Sequence, residues 1–518
     1  MAVGKYQIVV DWNNDGDYDD TYDDITSDVL TVSWFRGRDY ASQLRGNSIA
    51  GRMTILLKND DGKYSPSNTS GVLTGSLVPG RSAQLRAGEG LFPYDFPILF
   101  EGTPRWTGKI ERIEPTPNAE TRKTCTIECF GILGYLNDFK VSLANQTNRR
   151  TDQAIGDILD GVGWPSADRD LETGKTTISR FWVHDKNVMS AILNVEEVEA
   201  GFIKESADGK IVFENRDHRL VAEKSTTSQA TFSDASDATN TYITVEQDDP
   251  LSTVTNHIET DVLGYSIAGS ASVAWTHPES GSSSPTLAPA ESKTFEANFP
   301  NPSTTGGQVE IDAWTTPSSG TDYTANTASD GSGTNVVSSI GVSVVKTAQR
   351  MAMTFTNNGT VDAFLTKIQG RGTVVTVSDP VTIRAIDTDS QAIYGERMYV
   401  AATPFFSTST EAQDWVNYQI SIYESPVEIL TMVFNAARND NVEPALAADI
   451  SDRVTIVGDN TAKLGISGDF FIESVRHKLQ YGTTDHFVTW ELSPATGGYA
   501  QFWVLGTSVL GTQTVPAF

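Results

Sequence analysis

The chain has 518 residues, which is enough for about three or four folded units of roughly 150 residues each. It has 38 Lys and Arg and 66 Asp and Glu, which gives a net charge of −28. Such a charge repels phosphate backbones, so we expect no specific nucleic-acid partner. The first residues contain no signal peptide and no apolar run reaches membrane-spanning length, so we expect synthesis in the cytoplasm without a membrane span.

Closely spaced strand patterns dominate the first part of the sequence and predict a β-barrel or β-sandwich domain over residues 1–140. One of these strands, Thr124–Phe130, carries both cysteines of the chain on the same face. Four residues of strand separate Cys125 and Cys129 by about 13 Å, which is beyond the reach of a disulfide. We therefore predict that both are small buried side chains.

An acidic connection follows the first strand, with eight Asp and no Lys or Arg between Asp11 and Asp28. Its oxygen-bearing side chains alternate around Gly16 in the pattern of the first nine positions of a calcium-binding loop. The predicted ligands of a structural Ca²⁺ ion are Asp11, Asn13, Asp15, Asp17 and Asp19. Tyr22 stands where the twelfth position needs a bidentate Glu, and no helices are expected beside the loop. A solvated acidic hairpin tip is therefore the alternative.

Helical patterns then predict a small α+β module over residues 141–225. Thr151 is predicted to cap one helix, and a second helix spans about Asn187–Ala200. A β-hairpin follows, in which the turn Ser206–Gly209 joins two apolar strands, because Gly209 supplies the positive φ that such a turn requires.

A shift in composition marks residues 265–375. Between Ala271 and Ile340, 24 of 70 residues are Ser or Thr, and Lys293 is the only Lys or Arg. The alternating segments that follow favour a compact β-sandwich over a flexible linker. Strand patterns at Thr253–Val262 and Pro380–Ile386 flank it, so we predict an insertion into a second β-barrel domain formed by residues 226–264 and 376–495.

The last part of the chain combines a helix with a long hairpin. Capping-box spacing places a helix start at Thr408. The hairpin Phe470–Leu492 would bring His477 and His486 together, and two imidazoles without a third ligand do not make a zinc site. Residues 496–518 are an apolar tail that we expect to dock on a protein surface. The fold class is thus multidomain and mainly β, with small α+β parts.

Seven segments of the sequence have a familiar pattern when they are taken together: Val10–Tyr18, Trp34–Arg38, Leu57–Pro66, Pro79–Arg81, Phe202–Phe213, Asp452–Val454 and Gly468–Glu473. In this combination the chain resembles the minor tail proteins and tail-tip hub (baseplate hub) proteins of long-tailed bacteriophages. The resemblance covers about residues 1–260 and 375–518, and the insert at 265–375 is its least matched part.

The resemblance implies a structural virion protein that is assembled in the host cytoplasm and lies at the tail tip. It implies a homotrimeric hub whose barrel domains form a pseudo-sixfold ring that closes or extends the tail tube. The implied partners are a distal tail or tail-tube protein, the tape measure protein, and a tail fibre or receptor-binding protein. No catalytic motif is found, so we expect no enzyme, although paired carboxylates for a cell-wall hydrolase stay open. The main alternative is an adhesin whose insert binds a cell-surface glycan through Trp275, Trp314 and Tyr323.

Overall fold

The computed structural model describes residues 2–39, 47–91, 102–116, 122–279, 282–299, 307–401, 405–438, 440–458, 465–480, 485–495, 502–503 and 515–516. About half of these residues lie in strands, most of which pair antiparallel, and this confirms the mainly β fold class. No helix among them is long and apolar enough to cross a membrane. The predicted tail at 496–518 lies outside the described residues except for its two short strands.

Six antiparallel strands begin the structure: β1 (Ala2–Val10), β2 (Val29–Asp39), β3 (Asn47–Lys58), β4 (Ser82–Leu91), β5 (Thr103–Thr116) and β6 (Thr124–Phe130). They hydrogen-bond in the order β1-β4-β5-β6-β3-β2. Side chains from all six strands meet in one apolar cluster, because alternate residues face the same side of a sheet. Cys125 and Cys129 belong to this cluster, as predicted, and burial raises the pKa of the Cys125 thiol to about 12.

A small α+β unit follows. Its elements are α1 (Ile132–Leu136), β7 (Lys140–Arg150), α2 (Thr151–Gly161), β8 (Arg169–Leu171), β9 (Thr177–Asn187), α3 (Val188–Glu199), β10 (Phe202–Glu205), β11 (Ile211–Glu214), α4 (His218–Val221) and α5 (Glu223–Thr226). The predicted helices and hairpin are confirmed, with Gly209 at φ +85° in the turn. Asn187 caps α3 by accepting a hydrogen bond from the Ser190 N–H at 3.0 Å. The predicted cap at Thr151 is wrong by one residue: Arg150 takes the cap position, and Thr151 is the first residue of α2, where its hydroxyl donates to Glu199 at 2.8 Å.

Three strands lead to the insert: β12 (Ser228–Ser233), β13 (Thr244–Asp248) and β14 (His257–Val262). The insert contains β15 (Tyr265–Ile267), β16 (Ser272–His277), β17 (Thr286–Leu287), β18 (Ser292–Asn298), β19 (Gly307–Trp314), β20 (Tyr323–Asn326), β21 (Ile340–Lys346), β22 (Arg350–Asn357) and β23 (Ala363–Val377). One sheet gathers strands around β23, and the other has the order β18-β22-β21. Side chains of both sheets share one core, in agreement with the predicted sandwich.

The chain then continues with β24 (Val381–Ile386), α6 (Thr388–Tyr394), β25 (Met398–Ala401), α7 (Ser409–Tyr423), β26 (Ile429–Asn435), α8 (Val442–Ala447), β27 (Arg453–Val457), β28 (Ser467–Gln480), β29 (His486–Pro494), β30 (Phe502–Trp503) and β31 (Val515–Pro516). Short 3-10 turns lie at Thr26–Asp28, Ser166–Asp168, Leu251–Thr253 and Val337–Ser339. Helix α7 begins where the capping box predicts it, because the Thr408 hydroxyl accepts the Glu411 N–H at 3.3 Å.

The expected barrels are not closed in the part of the chain that the structure describes. Strand β2 pairs with β28, so the sheet of the first six strands continues through β28, β29 and β26 to β13. Strand β2 pairs with β3 and β28, and the long strand β28 pairs with β2, β29 and β27, so this pairing extends the sheet instead of closing it. One sheet thus joins residues that the sequence analysis assigned to two hub domains, and the division into domains stays a prediction.

Candidate functional site: an acidic loop and a buried ionic junction

The acidic loop leaves β1 at Asp11 and returns beside it, where the Val10 N–H donates to the Asp23 carbonyl at 2.9 Å. Asp11 is only 2% exposed. Its carboxylate accepts the backbone N–H groups of Asn14, Asp15 and Gly16 at 2.5, 3.2 and 3.1 Å. The first predicted calcium ligand is therefore turned towards the backbone of its own loop, where it stabilises the turn.

The other predicted ligands lie on the exposed side of the same loop. Asn13, Asp15 and Asp17 each accept the backbone N–H two residues ahead, at 3.2 to 3.3 Å. The Asn13 amide also donates to Asp15 at 2.7 Å and to Asp20. Among the described residues, no group of three or more His, Cys, Asp or Glu is arranged to hold a metal ion. Calcium binding stays a prediction, and it requires these side chains to reorient.

Mutual repulsion is nevertheless present in the loop. A hydrogen bond shared with Asp17, and then the charges of Asp17, Asp20 and Asp15, raise the pKa of Asp19. The pKa of Asp23 is also raised, chiefly by burial. Both shifts mean that the folded loop disfavours its own negative charge, and a bound cation would reverse this.

A second constellation, which the sequence analysis missed, is a buried ionic junction around Glu473. The Glu473 carboxylate lies between two guanidinium groups: Arg219 donates to it at 2.7 and 3.0 Å, and Arg38 pairs with its second oxygen. The three side chains are at most 2% exposed. Burial alone would raise the pKa of Glu473, but the charges of Arg219 and Arg38 outweigh it and lower the pKa to about 2. The Phe202 ring lies against both guanidinium groups, at 3.7 Å from Arg38 and 4.6 Å from Arg219.

The ionic junction extends to the loop that precedes β27. Asp449 pairs with Arg36 of β2 at 2.9 Å. Lys204 of β10 pairs with Glu214 of β11 and donates to a backbone carbonyl of the same loop at 2.7 Å. Ser451 donates to Glu214 at 2.6 Å. The loop is thus held by charged side chains from β2 and from the β10–β11 hairpin.

Glu205 of β10 is a further member of the ionic junction. Its buried carboxylate accepts the N–H groups of Gly51 at 2.9 Å and Leu133 at 2.7 Å. Burial raises its pKa to about 7. A Cβ at Gly51 would lie 2.4 Å from the carboxylate and one at Gly131 would lie 2.1 Å from it, so a larger residue at either position would displace the carboxylate from its N–H donors. The ionic junction therefore joins the first sheet, the α+β unit and the C-terminal strands at one buried place.

The paired charges of the ionic junction indicate that its residues hold three parts of the chain in position. Acidic and basic groups neutralise one another there, and breaking one pair would leave an uncompensated buried charge. Such a network resists sliding of the three parts against each other, because each displacement separates opposite charges at short distance.

The two histidines of the C-terminal hairpin meet as predicted. His477 Nδ1 and His486 Nε2 are 3.0 Å apart, and the Tyr6 hydroxyl is 2.6 Å from His486 Nδ1. Trp34 stacks on His477 with a ring separation of 4.3 Å. Burial lowers the pKa of His486 to about 3, so the cluster is neutral near pH 7. It ties β1 and β2 to the hairpin.

The aromatic residues proposed for glycan stacking lie largely in the core of the insert. Trp314 is 6% exposed and donates its indole N–H to the Thr347 carbonyl at 2.8 Å, and Tyr323 is 7% exposed. Trp275 is half-buried and stacks on His277. Trp314 and Tyr323 therefore present little ring surface to a sugar.

Comparisons with known proteins place the fold. The sequence matches no protein-family model and no curated protein. The structure is similar to the tail protein from Neisseria meningitidis MC58, with a TM-score of 0.51 and 10% identity over 96% of this chain and 98% of that chain. The 43 kDa tail protein of prophage MuSo2 from Shewanella oneidensis follows with a TM-score of 0.49 and 8% identity, over 95% and 99% of the two chains. A prophage tail protein from Listeria monocytogenes EGD-e has a TM-score of 0.41 and 8% identity, over 94% of each chain. The chain thus has the fold of a tail protein over almost its whole length, and the resemblance found in its sequence is confirmed at the level of the fold.

Proposed function

We propose that this chain is a structural component of a bacteriophage virion, an oligomeric hub at the distal end of the tail that closes or extends the tail tube. The observation that carries the proposal is the match to a tail protein across 96% of this chain and 98% of that chain. A match of this extent includes the arrangement of the sheets, and not one common motif alone. The same likeness supports a structural role without catalysis.

Two features of the structure support side-by-side assembly. The sheet that runs from β1 to β13 also has a branch through β27 that ends in β12. Residues 23–25 of the acidic loop bond to Ile8 and Val10 of β1 and cover part of its edge. Strand β13 pairs with β26 on one side, and no other strand among the described residues pairs with it. Open strand edges offer backbone groups to another chain. The ionic junction keeps the sheets in a fixed relation, which a closed ring of identical subunits needs, since a small error in angle would prevent closure. We propose a homotrimer on this basis.

The proposed partners follow from the position at the tail tip. A distal tail or tail-tube protein and the tape measure protein would contact one side of the ring. A tail fibre or receptor-binding protein would be anchored on the other. Assembly would take place in the host cytoplasm before incorporation into the virion.

The test is the oligomeric state of the purified chain, alone and with the tail-tube protein of the same virus. Mass photometry and negative-stain imaging should show trimers or rings in at least one of these conditions. A chain that stays monomeric in both, and that is missing from purified tails, would contradict the proposal.

A further inference from the structure

The three-stranded sheet β24-β14-β25 has one buried and one open face. Ile258, Ala385 and Ala401 on its inner face pack against α7. The residues of the outer face follow from the register, in which His257 pairs with both Ile386 and Met398, and Glu259 pairs with Val400. Paired residues point to the same side of a sheet.

Three exposed apolar side chains stand on the outer strands β24 and β25 of this face, on either side of the polar residues of β14 and beside Thr382 and Arg384. Ile386, Met398 and Val400 are 45%, 53% and 55% exposed. We call these three residues the apolar patch. His257 lies between Ile386 and Met398 but is only 8% exposed, because Glu396 and Glu259 bond to its ring at 2.6 and 3.1 Å. A cluster of exposed apolar side chains with a polar rim is typical of a contact surface.

The edge of the sheet next to the apolar patch is also open. Strand β25 pairs with β14 on one side, and no other strand of the described residues pairs with it. Met398 and Val400 therefore stand on an edge strand that presents unpaired backbone groups. Such an edge accepts an extended segment, whose apolar side chains then cover the adjoining face.

One segment of this chain has the matching chemistry. Residues 496–518 contain no Asp, Glu, Lys or Arg, in a chain that has 104 such residues (38 + 66), and they include Phe502, Trp503, Val504 and Leu505. Phe502–Trp503 and Val515–Pro516 are short strands that pair with each other in parallel. At about 3.3 Å per residue, the eight residues that follow Ala495 up to Trp503 span up to roughly 26 Å with this pairing kept, and the fully extended segment spans up to roughly 75 Å.

Charge argues for a contact made by this segment. Two copies that each carry a charge of −28 repel one another, and a contact made by an uncharged segment adds no like-charge pair at the interface. A ring of like subunits also needs two different complementary surfaces on each copy.

We propose that the apolar patch receives residues 496–518 of a second copy of this chain. The proposal rests on the proposed oligomeric hub and names the contact that holds neighbouring subunits together. Each subunit gives its uncharged arm to one neighbour and receives the arm of the other, with β25 as the edge to which the arm adds.

Cross-linking between two differently labelled copies tests the direction of the exchange. Both native cysteines are at most 2% exposed, so introduced cysteines are the reactive ones. A mixture of Val400→Cys chains and Thr507→Cys chains, treated with a short bismaleimide, should give a cross-linked dimer of one chain of each kind. Val345→Cys chains are the matched control, because Val345 is 69% exposed on the insert, and they should give none. Cross-linking only within a Val400→Cys/Thr507→Cys double variant would show docking on the same copy and overturn the proposal.

Assembly measurements separate this proposal from the proposed function. Met398→Glu/Val400→Glu and a chain ending at Ala495 should each raise the concentration needed for assembly at least tenfold, while Val345→Glu leaves it unchanged. Unchanged melting temperatures would show that the patch variants fold. If the wild-type chain assembles and these variants assemble equally well, the arm contact is wrong and the hub proposal stands. If the wild-type chain never assembles, both are wrong.

Discussion

Glu473 keeps its negative charge inside the protein because two guanidinium groups face it at hydrogen-bond distance. Desolvation of a single carboxylate would cost several kcal/mol, and only close opposite charges offset that cost. Glu310 is also buried, but its nearest opposite charge is farther away, so the cost of burying a charged carboxylate is not offset. Its carboxylate is 0% exposed, the guanidinium of Arg180 is 4.0 Å away, and neither oxygen has a hydrogen-bond partner among the described residues.

Removal of the central charge of the ionic junction should destabilise the protein strongly. We expect Glu473→Gln to lower the free energy of unfolding by about 3 kcal/mol, because it leaves Arg38 and Arg219 without their shared counter-charge. Urea denaturation measures this. The control is Glu296→Gln, which breaks the exposed pair with Arg350 and should cost less than about 1 kcal/mol. Equal effects of the two changes would show that the ionic junction contributes no more than a surface pair.

Glu310 should make the stability pH-dependent. Burial raises its pKa to about 8, so the folded protein holds a proton that the unfolded chain releases near pH 4.5. Stability from this group is complete below about pH 4.5 and is lost as the pH rises to about 8. Glu310→Gln should therefore be more stable than the wild type at pH 8, on the order of 2 kcal/mol, and similar to it at pH 4.5. Parallel stability curves of the two proteins between these pH values would contradict the assignment.

Calcium binding by the acidic loop is tested at Asp15. We expect Ca²⁺ to raise the melting temperature of the wild type, because a ligand that binds only the folded state stabilises it. Asp15→Ala should abolish this response, while Asp330→Ala, in an exposed turn of the insert, should keep it. Melting curves of the wild type that do not change between excess Ca²⁺ and chelator would remove the calcium hypothesis.

Elements with local signals agree best with their sequence-based predictions. The caps of α3 and α7, the turn at Gly209 and the β28–β29 hairpin depend on residues a few positions apart, so short patterns specify them. The insert could also be delimited, because β14 and β24 pair with each other directly before and after it. By contrast, the pairing of β2 with β28 joins residues more than 400 positions apart, and no local pattern indicates which of many similar strands will meet.

The position of the insert between paired strands predicts that it can be removed. Val262 and Val381 are direct partners, so their Cα atoms are about 5 Å apart and a two-residue Asn-Gly turn spans the gap. We expect the chain with residues 263–380 replaced by this turn to keep a cooperative unfolding transition. Its melting temperature should fall, because Trp182 loses its contact with Tyr265 and Arg180 its pair with Asp312. Loss of cooperative unfolding would mean that the host strands need the insert in order to fold.

At the scale of the whole molecule, electrostatic repulsion between copies opposes assembly, while open sheet edges and exposed apolar side chains favour it. The net charge of −28 keeps separate copies apart, while the open sheet edges and the apolar patch offer places for contact. Salt screens the first effect and leaves apolar burial intact. Assembly should therefore strengthen by about tenfold between 20 and 300 mM NaCl. Mass photometry at fixed protein concentration measures this, and weaker assembly at high salt would indicate an ionic interface instead.

The amino-acid sequence by itself determined the mainly β composition, the helix starts, the inserted sandwich and the resemblance to tail proteins, because these depend on short-range periodicity and on local motifs. It also determined that His477 and His486 face each other, since the two strands of one hairpin share a single register. Only the tertiary structure decided that the main sheet extends instead of closing, that Arg38 and Arg219 meet Glu473, and that Trp314 is buried. Each of these outcomes depends on contacts between residues that are distant in the sequence. Such contacts stabilise the protein only once the chain has folded, so short sequence patterns do not indicate them.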